Sequence, residues 1–528
     1  MHLRANHPYP SRRSAVAADN LVATSQPLAT QAGVSILAKG GNAVDAALAT
    51  AITLTVVEPS GNGLGSDAFA IVWDGETLHG LNASGRAPAG WTPDRFAEHD
   101  RIPFRGWDSV TVPGAVSAWV ALSERFGTLP FDALFEPAIR YARDGFPVSP
   151  VIATLWQRAG EELGRMPGFA NTFLPEGRAP RAGEYFKSPG HARTLELIAR
   201  TKGKAFYEGE IAEEIATFAK AHDAALTVSD MASHSVDWCG TISRGFDDAV
   251  LHEIPPNGQG IAALMGLGIL SQTGIREMDI DDPMALHLQI EAMKLALRDA
   301  ENYVADLDHM TATTVEDLLD DGYLASRAHL IDTSIATDFQ SGAPKHGGTV
   351  YLTTADASGM MVSFIQSNYA GFGSGVVVPG TGVALQNRGA GFSLDPKHQN
   401  FVAPGKRPFH TIIPGFVTRS GQPQMAFGVM GGHMQHQGHV QMVHRIFDHG
   451  QNPQAASDAP RWIVQKDFSV QVEAAMPRSV VEDLERRGHQ ISVQPITGVF
   501  GGAQLIYKDE HGYIAGSDHR KEGHAAGF

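Results

Sequence analysis

Near residue 340 the chain changes character. From about Ala115 to about Lys220 apolar residues recur at helical spacing, as in AWVALSERF and FEPAIRYARDG, with Pro or Gly closing each segment. Residues 30–57, TQAGVSILAKGGNAVDAALATAITLTVV, read as two packed helices joined at Gly40–Gly41. A short apolar helix at 260–271 follows the turn PPNGQG, and a longer one spans 284–306. Residues 332–348, DTSIATDFQSGAPKHGG, are polar and offer few anchors to a core, which suits a linker or a cleavage loop. Beyond it TVYLTTAD and MMVSFIQSN read as strands around the turn DASGM. Further strand-like runs occur at 412–418, 424–430, 468–473 and 502–507. A helix-rich first part is thus followed by a strand-rich last part.

The 528 residues suffice for roughly three domains of about 150 residues or for one large intertwined core. A formal charge of −16, with no basic run carrying interleaved aromatics, speaks against a nucleic-acid partner. The longest charge-free stretch, Ala357–Asn387, is broken by Gly, Ser, Asn and Pro, so no membrane span is expected. The first twenty residues have basic side chains without an apolar core behind them, unlike a secretory signal. With Cys239 as the single cysteine, read as a packing residue, a cytoplasmic protein is expected.

There is no P-loop, CxxC, HExxH or GxSxG signature. In GGHMQHQGHVQMVH, residues His433, His436 and His439 stand three apart; on a helix the outer two diverge by about 120°, too far to share one ion readily. No metal or cofactor is expected. The stretch HGGTVYLTTAD is more informative: Thr349 opens a strand directly after two glycines, where the backbone can adopt the strained geometry that assists peptide cleavage.

Ordered blocks along the chain carry a resemblance. GGNAVDAALATAITLTVVEPSGNGLGSDAF, ASGRAPA, VTVPGAVSAW, PPNGQG, HLQIEAMKLALRDAENYVAD, HGGTVYLTTAD, NYAGFGSGVV, LQNRGAGFS, PGKRPFHTIIP, FGVMGGH and AGSDHR together resemble the γ-glutamyltransferase family, from about residue 14 onward. The resemblance implies an N-terminal-nucleophile hydrolase, an α+β fold built as a four-layer αββα sandwich. It implies a precursor that cuts itself between Gly348 and Thr349 into intertwined pieces, 1–348 and 349–528. These would form a heterodimer, and pairing into a dimer of heterodimers is the further expectation. The hydroxyl of Thr349 would attack the Gly348 carbonyl, and the freed α-amino group, whose ordinary pKa is roughly 7.7–8.0, would then serve as general base. Ser367 corresponds to a hydroxyl residue that positions the nucleophile, Gly431 and Gly432 to oxyanion glycines, and Arg86 to an arginine that binds the substrate carboxylate.

The chain departs from that pattern where the family grips the substrate α-amino group. An asparagine, a glutamine and an aspartate are replaced by Tyr369, Arg388 and Gly391, and paired pocket serines by His410 and Thr411. An ammonium site that has lost its carboxylate and gained a guanidinium repels an ammonium. Arg86 and Arg388, with Tyr369, His410 and Thr411, are therefore expected to bind the amide of a small acid lacking an α-amino group. Oxamate amidohydrolases and glutaryl-type cephalosporin acylases are the branches that resemble this, and bulky Tyr369 and Phe409 favour oxamate. The alternatives are a γ-glutamyl hydrolase or transferase that recognises the amino group by other residues, and an uncleaved, non-catalytic relative.

Overall fold

The computed structural model describes residues 13–337, 348–495 and 497–528, and two seven-stranded antiparallel sheets dominate it. One sheet runs His524–Gly527, Leu21–Thr24, Gly348–Ala355, Met361–Tyr369, Asp67–Trp73, Leu78–Asn82, Asp237–Trp238. The other runs Val16–Ala18, Gly512–Ser517, Gly502–Asp509, Gln422–Met430, Gly415–Arg419, Ala249–Glu253, Ile242–Phe246. Residues on either side of position 348 share both sheets.

Period-two alternation sorts the strand side chains into layers. Phe69, Tyr351 and Ile365 of the first sheet meet Phe416, Ala426 and Ile506 of the second in one apolar cluster between the sheets. Val350, Leu352, Val362 and Phe364 point the other way, into a cluster with helices Ala43–Val57 and Ala115–Phe126. Val417, Met425, Phe427 and Leu505 do the same on the far side, against Gly260–Leu270, Pro283–Tyr303 and Gln435–Val443. The order helix, sheet, sheet, helix is the αββα sandwich expected from the sequence.

The helical segments fall close to their expected bounds. The break at Gly40–Gly41 separates Pro27–Ala38 from Ala43–Val57, and Asn42 and Asp45 close a reciprocal capping box at the start of the second helix. All fifteen residues of that helix are buried, which explains an apolar pattern with no polar face. Helices Gln435–Val443 and Arg478–Arg486 lie in the strand-rich part without having been anticipated there. Most of the connector, residues 338–347, lies outside the described residues. Among the described residues no helix is long and apolar enough to cross a membrane.

Candidate active site

The two central strands of the first sheet carry the site. Their pairing runs regularly from Val350 opposite Gln366 to Ala355 opposite Met361, but shifts between Gly348 and Val350. Thr349 occupies this irregularity, where a bulge can re-aim a side chain out of the ladder. It is 5% exposed, and its Oγ1 lies 3.1 Å from Ser367 Oγ. Ser367 Oγ also accepts the Tyr369 N–H at 2.8 Å, and Tyr369 takes a φ of 76°, a left-handed conformation rare for an aromatic residue. The end of the strand is thus curled around the Ser367 hydroxyl.

Ser367 faces Asp67 across the next strand pair. Asp67 Oδ1 accepts the N–H groups of Gly85 and Gly114 at 3.1 and 3.0 Å, and its Oδ2 lies 3.1 Å from His410 Nε2. Burial, reinforced by the positive charge of Arg388, holds His410 well below the ordinary histidine pKa, so the ring is neutral. The Ile412 N–H points at Nδ1 at 3.4 Å, which leaves the ring proton on Nε2 to be donated to Asp67. Burial also pushes the Asp67 carboxyl up to about 7, against the opposing pull of Arg388 and the two backbone donors.

Arg388 is 1% exposed. Its Nη1 donates to Thr411 Oγ1 at 2.7 Å, and its guanidinium carbon sits 4.8 Å from the centre of the Tyr369 ring. Nε and Nη2 are buried and have no hydrogen-bond partner among the described residues. Desolvation lowers its pKa to about 10, with Asp67 acting in the opposite direction. A buried cation with unused donors is costly, and an incoming anion would relieve that cost.

Gly431 and Gly432 follow strand Gln422–Met430, with φ of 122° and 60°. Two successive positive φ values are open to glycine and strained for other residues, so the turn explains the pair. Gln259 ties this turn to the arginine side: its amide nitrogen donates to Gly432 O at 2.8 Å and to Thr411 O at 2.5 Å. Gly391 has no room for a side chain, since a Cβ there would stand 2.5 Å from Phe409 O. Next to Tyr369 and Gly391 opens a cavity of about 460 Å³, lined also by Phe409, His433 and His436.

A family model described as gamma-glutamyltranspeptidase matches residues 29–528. The chain belongs to the gamma-glutamyltranspeptidase family. It is 35% identical to the glutathione hydrolase-like YwrD proenzyme of Bacillus subtilis, over 98% of this chain and 100% of that one. It is also 35% identical to the oxamate amidohydrolase proenzyme of Klebsiella pneumoniae, over 98% and 99%. Among solved structures, a cephalosporin acylase from Bacillus halodurans is similar with a TM-score of 0.95 and 48% identity, covering 100% of this chain and 99% of that chain. The enzyme class follows from the family: an amidohydrolase of the N-terminal-nucleophile type, made as a proenzyme.

Within this gamma-glutamyltranspeptidase-family fold the contacts join Thr349, Ser367, Tyr369, Arg388, His410 and Thr411, with Gly431 and Gly432 attached through Gln259. Arg86 is placed differently. Its guanidinium is 36% exposed and lies 3.1 Å from Gly405 O, 3.4 Å from Asp306 and 3.7 Å from Asp237, all acceptors of its own chain. Of the three histidines of the GGHMQHQGH stretch, His439 turns away, its Nδ1 meeting Glu253 at 2.5 Å, whereas His433 and His436 both line the cavity. Cys239 is half-buried, and burial pushes its thiol up to about 11, a poor nucleophile. Sequence reasoning missed Asp67 and Gln259 as site residues. A lone carboxylate opening the apolar run DAFAIVW was the available signal for the first, and an amide inside the PPNGQG turn for the second.

Proposed function

We propose that the chain is a self-cleaving amidohydrolase with Thr349 as nucleophile, acting on the amide of a small carboxylic acid that lacks an α-amino group, and that oxamate, yielding oxalate and ammonia, is its best substrate. Maturation begins as Thr349 Oγ adds to the Gly348 carbonyl carbon. The Gly348–Thr349 C–N bond breaks, an ester forms, and water hydrolyses it, leaving a Gly348 carboxylate and a free Thr349 amine. The pieces 1–348 and 349–528 remain one heterodimer, because they interleave in both sheets.

In turnover the Thr349 amine takes the proton of its own hydroxyl as Oγ attacks the substrate carbonyl. The Gly431–Gly432 turn stabilises the resulting oxyanion, and Ser367 holds the Oγ in line. The tetrahedral species expels the amine, which leaves with the proton, and water then releases the acid from the ester. Nε and Nη2 of Arg388 receive the far carboxylate, between the Tyr369 ring and the Thr411 hydroxyl.

The unpartnered, buried nitrogens of Arg388 carry this reading. A second reading, a glutaryl-type acylase, is favoured by the 460 Å³ cavity beyond Tyr369 and by the 48% identical acylase structure. A panel of oxamate, glutaryl amides and γ-glutamyl amides, assayed for ammonia or amine release, tests both. Oxamate is expected to exceed γ-glutamyl amides in kcat/KM by about 100-fold, the equivalent of about 3 kcal/mol of ammonium repulsion. Faster glutaryl turnover would select the second reading, and faster γ-glutamyl turnover would overturn both.

A further inference from the structure

Upstream of the cleavage segment a buried charged cluster, unused in the chemistry above, grips the main chain. Lys294 and Glu291, one turn apart on helix Pro283–Tyr303, pair at 2.7 Å and are nearly inaccessible to solvent. His287 Nδ1 lies 2.8 Å from His489 Nε2, and His489 Nδ1 lies 3.4 Å from Lys294 Nζ. His287, Glu291 and His489 bring three donor atoms within 4.8 Å of one another, a spacing that would suit a metal ion.

The hydrogen bonds occupy the ring lone pairs that a metal ion would need from the two histidines. His287 Nε2 lies 2.8 Å from the Asp332 carbonyl oxygen, which only accepts, so Nε2 carries the proton. Burial lowers the pKa of both histidines and keeps the rings neutral. His287 Nδ1 therefore accepts from His489 Nε2–H, and His489 Nδ1 accepts from Lys294. The other ammonium protons go to Glu291 Oε1 and, at 3.2 Å, to the Thr337 carbonyl oxygen. Glu291 Oε2 accepts the Thr337 N–H at 2.9 Å. The cation of this cluster is the ammonium.

What the cluster holds is the start of the connector, always by its backbone. Arg487 adds two contacts from the other part of the chain: its carbonyl accepts the Ala336 N–H at 2.6 Å, and its guanidinium donates to Thr333 O. Asp332, Thr333, Ala336 and Thr337 are thus all fastened, and Thr337 stands eleven residues before Gly348. A buried ion pair adds little net stability but fixes geometry strongly, because each broken partner leaves a charge unpaired.

We propose that His287, Glu291, Lys294, Arg487 and His489 form a clamp that positions the upstream end of the self-cleavage segment. The inference rests on the self-cleavage reading. The strand beginning at Gly348 fixes the downstream end, so a clamp at Thr337 closes the segment between two fixed points and reduces the entropy lost when Gly348 and Thr349 reach attack geometry. Three clamp residues precede the scissile bond and two follow it. Cleavage therefore waits until residues beyond 480 have folded onto helix Pro283–Tyr303.

The test is a time course of full-length chain made by cell-free synthesis, read by intact mass for the fragment that begins at Thr349. Arg487→Gln and the double variant Glu291→Gln/Lys294→Met are compared with wild type, together with Tm and the kcat/KM of the matured fraction. Cleavage is expected to slow by about ten-fold or more, while matured enzyme keeps kcat/KM within about two-fold of wild type. Cleavage at the wild-type rate in these variants overturns the clamp. Should the buried double variant not fold, Arg487→Gln decides, since that side chain is 18% exposed and its ion-pair partner Asp483 keeps Arg486 at 2.8 Å. A wild-type chain that stays whole, or a Thr349→Ala chain that is cut, would instead refute self-cleavage itself.

Discussion

At the nucleophile end of the site, position is set by backbone. A register shift aims Thr349, a curled strand end brings Tyr369 N–H to Ser367, and two left-handed glycines form the turn at 431–432. At the carboxylate end, position is set by buried charge: Arg388, Asp67 and neutral His410 come from three distant segments and meet with almost no solvent. In the mechanism proposed above, the first arrangement serves acyl transfer from any amide, while the second selects which acid arrives. On that proposal specificity can change without disturbing the chemistry, through the departures that the resemblance implies at Tyr369, Arg388, Gly391, His410 and Thr411.

Substitutions at each end sharpen that contrast. The largest effect is expected for Thr349→Ala, which should leave an uncleaved 56.4 kDa chain by intact mass and abolish turnover. Arg388→Gln should mature normally yet lose about 100-fold or more in kcat/KM for the carboxylate substrate, as expected when one partner of a buried charge pair is removed. If Arg388→Gln blocked maturation as well, the two ends would not be separable. Ser367→Ala should lower kcat by roughly 10- to 100-fold in matured enzyme, the range for a hydrogen bond of about 1.4–2.7 kcal/mol to a reacting group.

The smallest effect concerns pH and the stability of the fold. Glu58 is buried against the Ser25 hydroxyl at 2.5 Å, and desolvation raises its pKa to about 7 from an ordinary value of 4.5. The native state then binds a proton that the unfolded chain has already released, so its contribution to stability falls as pH rises from about 4.5 to about 7. Measured by denaturant unfolding across that range, Glu58→Gln should gain on wild type with rising pH. A difference that stays flat would mean that Glu58 is ionised in the native protein at low pH.

The helix pair at Gly40–Gly41 and the strand pair around Thr349 were legible in the sequence because period and turn chemistry are local, whereas the layers came only from the family resemblance. Gly431 and Gly432 were singled out by the resemblance alone; that they form a turn with two positive φ values is seen only in the fold. Asp67 was not legible as a partner of His410, since 343 positions separate them and only the folded sheet brings them together. The outward, acid-bound posture of Arg86 was equally hidden: the sequence identifies a guanidinium but not that Asp306 and Asp237 stand beside it. Helix Gln435–Val443 was obscured by its many histidines and glutamines, buried here by partners such as Glu253, Val464 O and Trp462 O.

The central claim is that Arg388 chooses the acid. The ratio of kcat/KM for oxamate over a γ-glutamyl amide, measured on matured wild type and on Arg388→Gln, tests it most directly. A wild-type ratio of about 100 that collapses toward unity in the variant is the predicted result. A ratio left unchanged by the substitution would contradict it and remove Arg388 from substrate recognition.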